Sequence, residues 1–205
     1  METQTKVLNV TEAAEARRSI RKYTDQAIPQ EHIDEILRVA GLAPCPWNIQ
    51  PWRVIVVKGA VAKKDLMGAA YGQPQVGAAA AVFVLYSDMQ DALANAEDFI
   101  HPGYGDKIAA EANNIRETFE KMGAEKSEQW GFAESNIFLG FLLLAAQSHG
   151  YSTSAMLGFE PDKVKALYDL PAHVTLPALV AMGIGAEEGF PHHRHGLDRF
   201  VKVVD

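Results

Sequence analysis

The sequence predicts an α+β protein built as a single domain over residues 1–205. Short β-branched runs typical of buried strands alternate with longer helical segments, and no internal repeat or interdomain linker divides the chain. A chain of this length buries roughly 70% of the surface that its unfolded form exposes. The core is therefore large enough for an enzyme.

Two helices are predicted in the first fifth of the chain. Thr11 precedes an acidic residue and is the predicted N-cap of the first helix, which ends near Arg17 and Arg18, since cations favour a helix C-terminus. Pro29 is predicted at the first position of the second helix, which ends near Gly41. Residues 43–51 contain three prolines and are predicted to form a loop.

Four apolar, β-branched runs predict strands, and two shorter segments between them predict helices. The predicted strands are residues 52–57, 81–86, 151–156 and 176–184, and the short helices are residues 62–69 and 161–168. Residues 89–125 are weakly helical and are broken by the sequence His-Pro-Gly-Tyr-Gly at 101–105. This pattern predicts a surface excursion of two helices and a turn, of the kind that often covers an active site.

The segment 127–149 is predicted to be one long helix. It is apolar nearly all round, so it requires cover on more than one side, and a single small subunit rarely supplies that much. The end of the chain, 197–204, alternates weakly and is predicted to extend onto another sheet, as part of a C-terminal arm over 191–205. Both features favour a dimer.

Charge and cysteine content exclude several classes of function. The formal charge of −7 argues against binding of nucleic acid, which depends on a basic face. A single cysteine, Cys45, rules out an internal disulfide and a four-cysteine metal site, and indicates the reducing cytoplasm. Residues 1–10 lack the pattern of a secretory signal, and the longest apolar run, 137–146, is about half of the roughly 20 residues that a membrane span requires.

Two motifs at the start of the chain resemble the FMN-dependent nitroreductase family. Residues 17–23 (Arg-Arg-Ser-Ile-Arg-Lys-Tyr) are similar to the family's Arg-x-Ser-x-Arg/Lys-x-aromatic opening. Residues 43–53 follow at the family's spacing and are similar to its Ala-Pro-Ser-x-x-Asn-x-Gln-Pro-Trp loop. The long apolar helix, Met-Leu-Gly-Phe at 156–159 and Gly-Ile-Gly at 183–185 extend the resemblance over nearly the whole chain.

The resemblance implies a nitroreductase-like fold, with a central, mostly antiparallel sheet flanked by helices. It also implies an intertwined homodimer with a long buried interface helix and FMN at the subunit interface, touched by both chains. The implied activity is reduction of small acceptors, such as nitroaromatics or quinones, by NADH or NADPH through a ping-pong hydride mechanism. The alternatives are dehalogenation or flavin fragmentation on the same scaffold, and a flavin-binding dimer without turnover.

The family's phosphate and ring positions fall on the first arginine-rich motif. The resemblance places Arg17, Arg18 and Ser19 at the phosphate and ribityl chain, where a guanidinium can grip phosphate oxygens in bidentate fashion. It places Arg21 beside the flavin N1 and O2 edge, where a fixed cation stabilises the charge of the reduced ring and so serves catalysis. The alternative is that these arginines end a helix and lie on the surface.

Further positions are implied on both chains. The loop that touches the flavin from the partner chain is matched by Pro44, Cys45, Pro46 and Asn48. Cys45 stands where the family usually has serine. A lone cysteine is more often a small buried group, so no catalysis is assigned to its thiol. Met156, Leu157 and Gly158 match the segment passing the flavin N5, with a catalytic backbone N–H from Leu157 or Gly158. Many family members carry glutamate at the position of Leu157.

Three further groups of residues have more than one interpretation. Gln73 and Gln75 lie where the family bonds the flavin pyrimidine edge, or equally are exposed loop amides. His192 and Arg194 are assigned to the phosphate rather than to a metal site or a solvated basic turn, because no carboxylate or cysteine nearby completes a metal site. Several aromatic residues line the acceptor pocket or merely pack, with Tyr104 and Trp130 as the named candidates: Tyr71, Phe99, Tyr104, Phe119 and Trp130.

Overall fold

A four-stranded antiparallel sheet lies at the centre of the computed structural model, which describes residues 7–204. Neighbouring strands pair in the order β1-β2-β4-β3, and each of the three pairings is antiparallel. The strands are β1 (Trp52–Val57), β2 (Ala81–Ser87), β3 (Ser152–Met156) and β4 (Thr175–Gly183). The predicted fold class and the antiparallel sheet are confirmed.

The two central strands are apolar over most of their length because both faces of the sheet are covered. In β2, Phe83 and Leu85 point into one hydrophobic cluster, whereas Val82 and Val84 point into the cluster on the other face. This alternation follows from the two-residue period of a strand. Each of these fully buried side chains contributes roughly 1.5–3 kcal/mol relative to an exposed one.

Helices cover both faces of the sheet and form the excursion after β2. In chain order they are α1 (Val10–Ala16), α2 (Gln30–Ala40), α3 (Ala60–Ala69), α4 (Pro74–Ala78), α5 (Met89–Ala94), α6 (Ala96–Phe99), α7 (Ile108–Met122), α8 (Ala124–Ser148) and α9 (Pro161–Leu167). Short 3-10 helices occupy Pro46–Asn48, Pro102–Lys107 and Leu197–Arg199. None of the helices within residues 7–204 is long and apolar enough to cross a membrane.

Helix α8 is the long predicted helix, and the chain covers one of its faces. Phe138 and Leu142 pack into the cluster shared with α2 and the sheet. Outside this face three further apolar side chains of α8, Phe132, Ile137 and Phe141, are 38%, 40% and 39% exposed. Within the described chain α8 is therefore only partly covered.

The predicted N-cap of the first helix is wrong. Asn9, and not Thr11, caps α1: its side chain accepts a hydrogen bond from the backbone N–H of Glu12 at 2.9 Å, and the Glu12 carboxylate accepts one from the N–H of Asn9 at 2.9 Å. This reciprocal capping box satisfies two N–H groups, which a cap at Thr11 does not offer. Pro29 is the N-cap of α2 rather than its first residue.

The end of the chain also differs from its prediction. Within 197–204 the structure contains a 3-10 helix and no strand, because the N–H groups of Phe200 and Val201 both bond to the carbonyl of Leu197 and curl the chain. The side chains of this tail are exposed. The described residues do not include 1–6, on which the interpretation of the N-terminus partly rests. They also do not include Asp205, at the end of the predicted arm.

Candidate functional site

The arginine-rich motif lies along the free edge of β3. Ser19 forms a parallel bridge with Thr153, and the backbone N–H of Ile20 donates a 3.0 Å hydrogen bond to the Thr153 carbonyl. Tyr23 fixes the other end of the motif: its hydroxyl donates to the carbonyls of Ile20 at 2.7 Å and Ala181 at 3.2 Å. These bonds hold the motif against the sheet, so the arginines project from a rigid edge.

A basic cleft of about 190 Å³ opens beside this motif. It is lined by Arg17, Arg18, Ser19, Arg21, Phe190, Pro191, His192 and Arg194. The predicted phosphate residues from both ends of the chain therefore meet in one place. Arg17 is also the C-cap of α1, and the Arg18 guanidinium donates to the Glu15 carbonyl at 2.6 Å, so these two arginines end a helix as well as line the cleft. Phe190 and Pro191 were missed by the sequence reasoning, which looked for charge.

The cations of the cleft have little internal compensation. Burial lowers the pKa of the Arg17 guanidinium, and the neighbouring charges of Arg194 and Arg18 lower it further. The guanidinium groups of Arg17 and Arg21 make no hydrogen bond to any residue in 7–204, and no carboxylate lines the cleft. The Glu187 carboxylate lies beside it and accepts from the backbone N–H of Arg21 at 2.9 Å. Like charges held together in this way favour an anion between them, and a phosphate group supplies both the charge and the acceptor oxygens.

A second group of predicted residues lies where β3 ends. The side-chain amide of Gln73 donates to the Gly158 carbonyl at 2.6 Å, and that of Gln75 donates to Gln73 Oε1 at 2.9 Å and to the sulfur of Met156 at 3.3 Å. Gln75 is buried, so its interpretation as an exposed loop amide is wrong. Leu157 is 76% exposed, which leaves its backbone beside open solvent.

The cleft and the strand end lie on one line. Thr153 beside the cleft and Gly158 beyond the strand end are five residues apart, which is about 16 Å in an extended chain. The basic cleft is at one end of this line, and a surface of backbone and amide groups is at the other. This arrangement fits a ligand with a phosphate at one end and a hydrogen-bonding ring system at the other, as FMN has.

The predicted partner loop lies at the opposite edge of the sheet. Pro44, Cys45, Pro46 and Asn48 precede β1, and β1 is separated from β3 by three strand spacings, about 14 Å. The structure therefore does not bring this loop to the basic cleft of the same chain. A second copy of the chain is required if both sets of residues touch one ligand.

The loop is held in a strained conformation. Trp47, Asn48 and Gln50 have φ angles of 52°, 59° and 49°, in the left-handed region that costs non-glycine residues of order 1–3 kcal/mol each. The Asn48 amide donates to the Phe99 carbonyl at 2.7 Å, and the Gln50 backbone N–H donates to the Cys45 sulfur at 3.4 Å. Burial raises the pKa of the Cys45 thiol to about 11, so the thiol is a poor nucleophile.

The aromatic candidates divide into packing and exposed residues. Phe99 and Phe119 are buried, and Trp130 packs edge-on to Phe119 with ring centroids 5.1 Å apart. Tyr104 is half exposed and shares a cavity of about 200 Å³ with Trp47. The sequence analysis assigned Trp47 no role, although an aromatic residue inside a proline-rich loop is the signal that marks it.

The histidine run contributes one residue to the cleft. The Nε2 of His192 is 3.2 Å from the Ala14 carbonyl, and the guanidinium of Arg194 donates to the His193 carbonyl at 2.8 Å. Within residues 7–204 no cluster of three or more histidine, cysteine or acidic side chains has an arrangement that holds a metal ion.

A larger cavity, of about 470 Å³, lies at the junction of α7 and α8 and shares no lining residue with the basic cleft. Met89, Phe119 and Glu128 are among its lining residues. Both oxygens of Glu128 are occupied: one accepts from the Met89 N–H at 3.0 Å, and the other accepts from the Thr175 hydroxyl at 2.9 Å. This buried carboxylate ties α8 to the sheet.

Fold and site together define an α+β protein with a basic cleft beside a sheet-edge strand. The chain belongs to the nitroreductase family, whose model matches residues 14–185. The resemblance carried by the two N-terminal motifs is thereby confirmed.

Individual relatives match almost end to end. A protein of Thermus thermophilus named NADH dehydrogenase is 45% identical over 202 residues, covering 98% of both chains. A nitroreductase-like protein of Streptococcus mutans has a solved structure with a TM-score of 0.85 and 31% identity, covering 95% of this chain and 98% of the other. A putative nitroreductase of Exiguobacterium sibiricum, solved in complex with FMN, has a TM-score of 0.89 and 26% identity, covering 98% and 100%.

Proposed function

We propose that this protein is an FMN-dependent NAD(P)H oxidoreductase that works as a homodimer and reduces small acceptors, with nitroaromatics and quinones as the acceptor class. The observation that carries the proposal is the cluster of cations on the edge of β3, in a cleft that no carboxylate of residues 7–204 lines. A relative of the same fold was solved with FMN, and other relatives are named NADH dehydrogenase and NAD(P)H nitroreductase.

FMN fits the line of residues along β3. Its phosphate is assigned to the cleft, where Arg17, Arg18, Ser19, His192 and Arg194 supply cations and donors. The ring is assigned to the strand end, next to Gln73, Gln75 and the backbone of residues 156–158. FMN rather than FAD is expected because the clustered arginines suit a terminal monophosphate.

Bound FMN supplies a carrier that accepts a hydride from a nicotinamide and passes it to the acceptor. The chain's own contribution is positional and electrostatic. Arg21 holds a fixed positive charge in the cleft, and the exposed backbone of Leu157 and Gly158 offers N–H donors to the ring. The sequence has no strand–Gly-x-Gly-x-x-Gly–helix unit, so the nicotinamide is expected to stack on the flavin transiently rather than occupy a site of its own.

The homodimer completes the site. The loop with Pro44, Cys45, Pro46 and Asn48 precedes β1, at the opposite edge of the sheet from β3, so it is assigned to the flavin of the partner chain. The apolar face of α8 and the exposed apolar side chains of the C-terminal arm, of which Phe190 is 88% exposed, offer the surface that an obligate dimer buries.

The test is cofactor content combined with turnover. Purified protein is expected to be yellow, with about one FMN per chain, and to oxidise NADH or NADPH when menadione or a nitroaromatic is added. Arg17→Ala is expected to weaken FMN binding by roughly 10–100-fold, since a charged hydrogen bond contributes about 1.5–3 kcal/mol. The control is Arg38→Ala, an exposed arginine paired with Glu35 on α2, which is expected to bind FMN as the wild type does. FAD released by acid, or colourless protein that ignores added FMN, contradicts the proposal.

A further inference from the structure

The cavity of about 470 Å³ at the junction of α7 and α8 is lined by none of the residues assigned to FMN. Its volume falls within the roughly 300–1,000 Å³ of pockets that hold small molecules. The walls are largely apolar, with side chains from α5, the end of α7 and the start of α8: Met89, Leu93, Phe119 and Ala124. The exposed apolar side chains further along α8, such as Phe141, do not line it.

One polar group of the cavity wall is held in a fixed orientation. The Nε2 of His173 lies 2.9 Å from Asp88 Oδ1, and Asp88 is 8% exposed. The same carboxylate oxygen accepts the backbone N–H of Asp91 at 2.9 Å, so Asp88 is itself fixed as the N-cap of α5. An ionised carboxylate only accepts hydrogen bonds, so Nε2 carries the proton that the His173 ring donates.

The other nitrogen of this ring is free to accept a hydrogen bond. Nδ1 of His173 makes no hydrogen bond to any residue in 7–204. In a neutral imidazole whose Nε2 carries the proton, Nδ1 is an acceptor, and imidazoles are ordinarily neutral above about pH 7. The two hydroxyls of the wall are already committed: Thr175 donates to Glu128 at 2.9 Å, and Ser127 donates to two backbone carbonyls.

The charges around the cavity restrict what can bind there. Three glutamates line it, Glu120, Glu125 and Glu128, whereas no lysine or arginine of residues 7–204 does. These carboxylates repel an anion. A cation would find its partners only among the exposed Glu120 and Glu125, because both oxygens of Glu128 already accept hydrogen bonds, and a charge leaves water only at a high cost. The cavity therefore favours a neutral molecule.

We propose that this cavity binds a small neutral molecule that has an apolar body and one hydroxyl group, that is, an apolar alcohol or a phenol, with the hydroxyl donating to Nδ1 of His173. The apolar walls take up the body, and the His173 ring supplies the one directional contact. The site is separate from the proposed flavin site, so the inference goes beyond the proposed function and does not depend on it.

Calorimetric titration of the purified protein at about pH 8, where imidazoles are ordinarily neutral, tests the proposal with compounds that share one cyclohexyl body. 2-Cyclohexylethanol is expected to bind. Its methyl ether has the same body but no O–H, and is expected to bind about fivefold more weakly, as the loss of one hydrogen bond predicts. Cyclohexylacetate, an anion, is expected to bind more weakly than either. No saturable binding of the alcohol, equal affinity for alcohol and ether, or a preference for the anion overturns the inference.

Three variants locate the binding. His173→Phe keeps an aromatic ring but removes Nδ1, and is expected to bind the alcohol and the ether equally. Leu93→Trp fills the cavity and is expected to bind neither. The control is His149→Phe, at the C-cap of α8 and outside the cavity, which is expected to keep the wild-type preference for the alcohol. A preference that survives in His173→Phe, one that is lost in His149→Phe, or wild-type binding in Leu93→Trp overturns the inference.

The same titrations separate this inference from the proposed function. Arg17→Ala, which changes the basic cleft, is expected to bind the alcohol as the wild type does, since the two sites share no lining residue. Protein that binds the alcohol with the expected preference but binds no FMN supports this inference and overturns the proposed function. Displacement of the alcohol by added FMN would show that it occupies the flavin site, and would overturn the inference while leaving the proposed function intact.

Discussion

The side-chain amide of Gln73 donates a 2.6 Å hydrogen bond to the carbonyl oxygen of Gly158. This bond joins the residue that precedes α4 to the turn that follows β3, and so fixes the two segments that the sequence assigned separately to the flavin ring. Gln75 orients the Gln73 side chain for this bond, because its own amide donates to Gln73 Oε1 at 2.9 Å.

Replacing Gln73 with Leu is expected to weaken FMN binding by about fivefold. The substitution removes the donor to the Gly158 carbonyl, and one such hydrogen bond contributes about 1 kcal/mol to the order of the loop. Fluorescence titration of the apoprotein with FMN measures the change. Gln129→Leu, at an exposed amide of α8, serves as the control. Equal affinity in Gln73→Leu and the wild type would show that the loop is ordered by other contacts.

Gly131 sets the approach of α8 to the end of β2, and its substitution is expected to destabilise the fold. A Cβ at this position would overlap the Ser87 hydroxyl and the Met89 side chain, both of which are buried. Gly131→Ala is therefore expected to lower the free energy of unfolding by about 1–3 kcal/mol, as overpacking does. Gly68→Ala, in α3, meets no atom within 4 Å and is expected to be neutral or slightly stabilising. Denaturant unfolding compares the two variants.

The sheet was predictable because burial on both faces leaves a continuous apolar run. The predicted 52–57 matches β1, and the predicted ends of β2 and β4 differ from the structure by one residue. The start of α1 was harder to predict, because Thr11 and Asn9 are both residue types that favour an N-cap. Asn9 is the N-cap because the Glu12 side chain reaches back to its backbone N–H.

Site residues could be predicted where the residue type alone determines the chemistry. They could not be predicted where the role of a side chain depends on its being buried. The arginines of the cleft are cations wherever they lie, so their spacing sufficed to single them out. Gln75 looks like an ordinary surface residue in a sequence, and its place in the site arises from being enclosed by segments far away in the chain. The C-terminal arm was predicted from its apolar pattern, but a strand also needs to pair with an edge of a sheet, and residues 197–204 pair with neither edge of the described sheet.

The protein is expected to be a dimer of its 22.4 kDa chain at micromolar concentration, and Phe141→Arg is expected to disrupt it. Phe141 is 39% exposed on the uncovered face of α8, so an arginine there is tolerated in the free chain but buries a charge in an interface. Val61→Arg, at a residue 75% exposed on α3, is the control and is expected to remain dimeric. Light scattering measures the mass of the wild type and of both variants in solution. A stable, flavin-loaded wild-type monomer would contradict both the interface and the shared site.

Cys45→Ser is expected to retain turnover within a few fold. Serine is the residue that the family usually has there, and hydride transfer needs no thiol. Steady-state oxidation of NADH or NADPH with menadione measures the turnover. A loss beyond about a hundredfold with FMN still bound would show that the thiol has a catalytic role, since a loss of that size lies in the range of general acid or base catalysis.

Arg21→Met is expected to lower the midpoint potential of the bound flavin while weakening FMN binding only modestly. Arg21 lines the basic cleft, and its guanidinium makes no hydrogen bond within residues 7–204. Reduction places negative charge on the flavin N1 and O2 edge, so a fixed cation there stabilises the reduced ring more than the neutral oxidised one. The shift is expected to be tens of millivolts, on a two-electron scale where 30 mV is about 1.4 kcal/mol.

Potentiometry on three FMN-loaded variants tests whether Arg21 acts through its charge at the flavin. Arg21→Lys is expected to recover part of the potential, since the charge survives and only the fork geometry is lost. Lys22→Met removes the adjacent cation, which is exposed and lies 3.9 Å from the Glu187 carboxylate, and is expected to leave the potential unchanged because solvent screens that charge. Flavin reduction by nicotinamide is expected to slow in Arg21→Met in step with the potential. If Arg21→Met and Lys22→Met both keep the wild-type potential, Arg21 is a surface cation and the ring edge lies elsewhere.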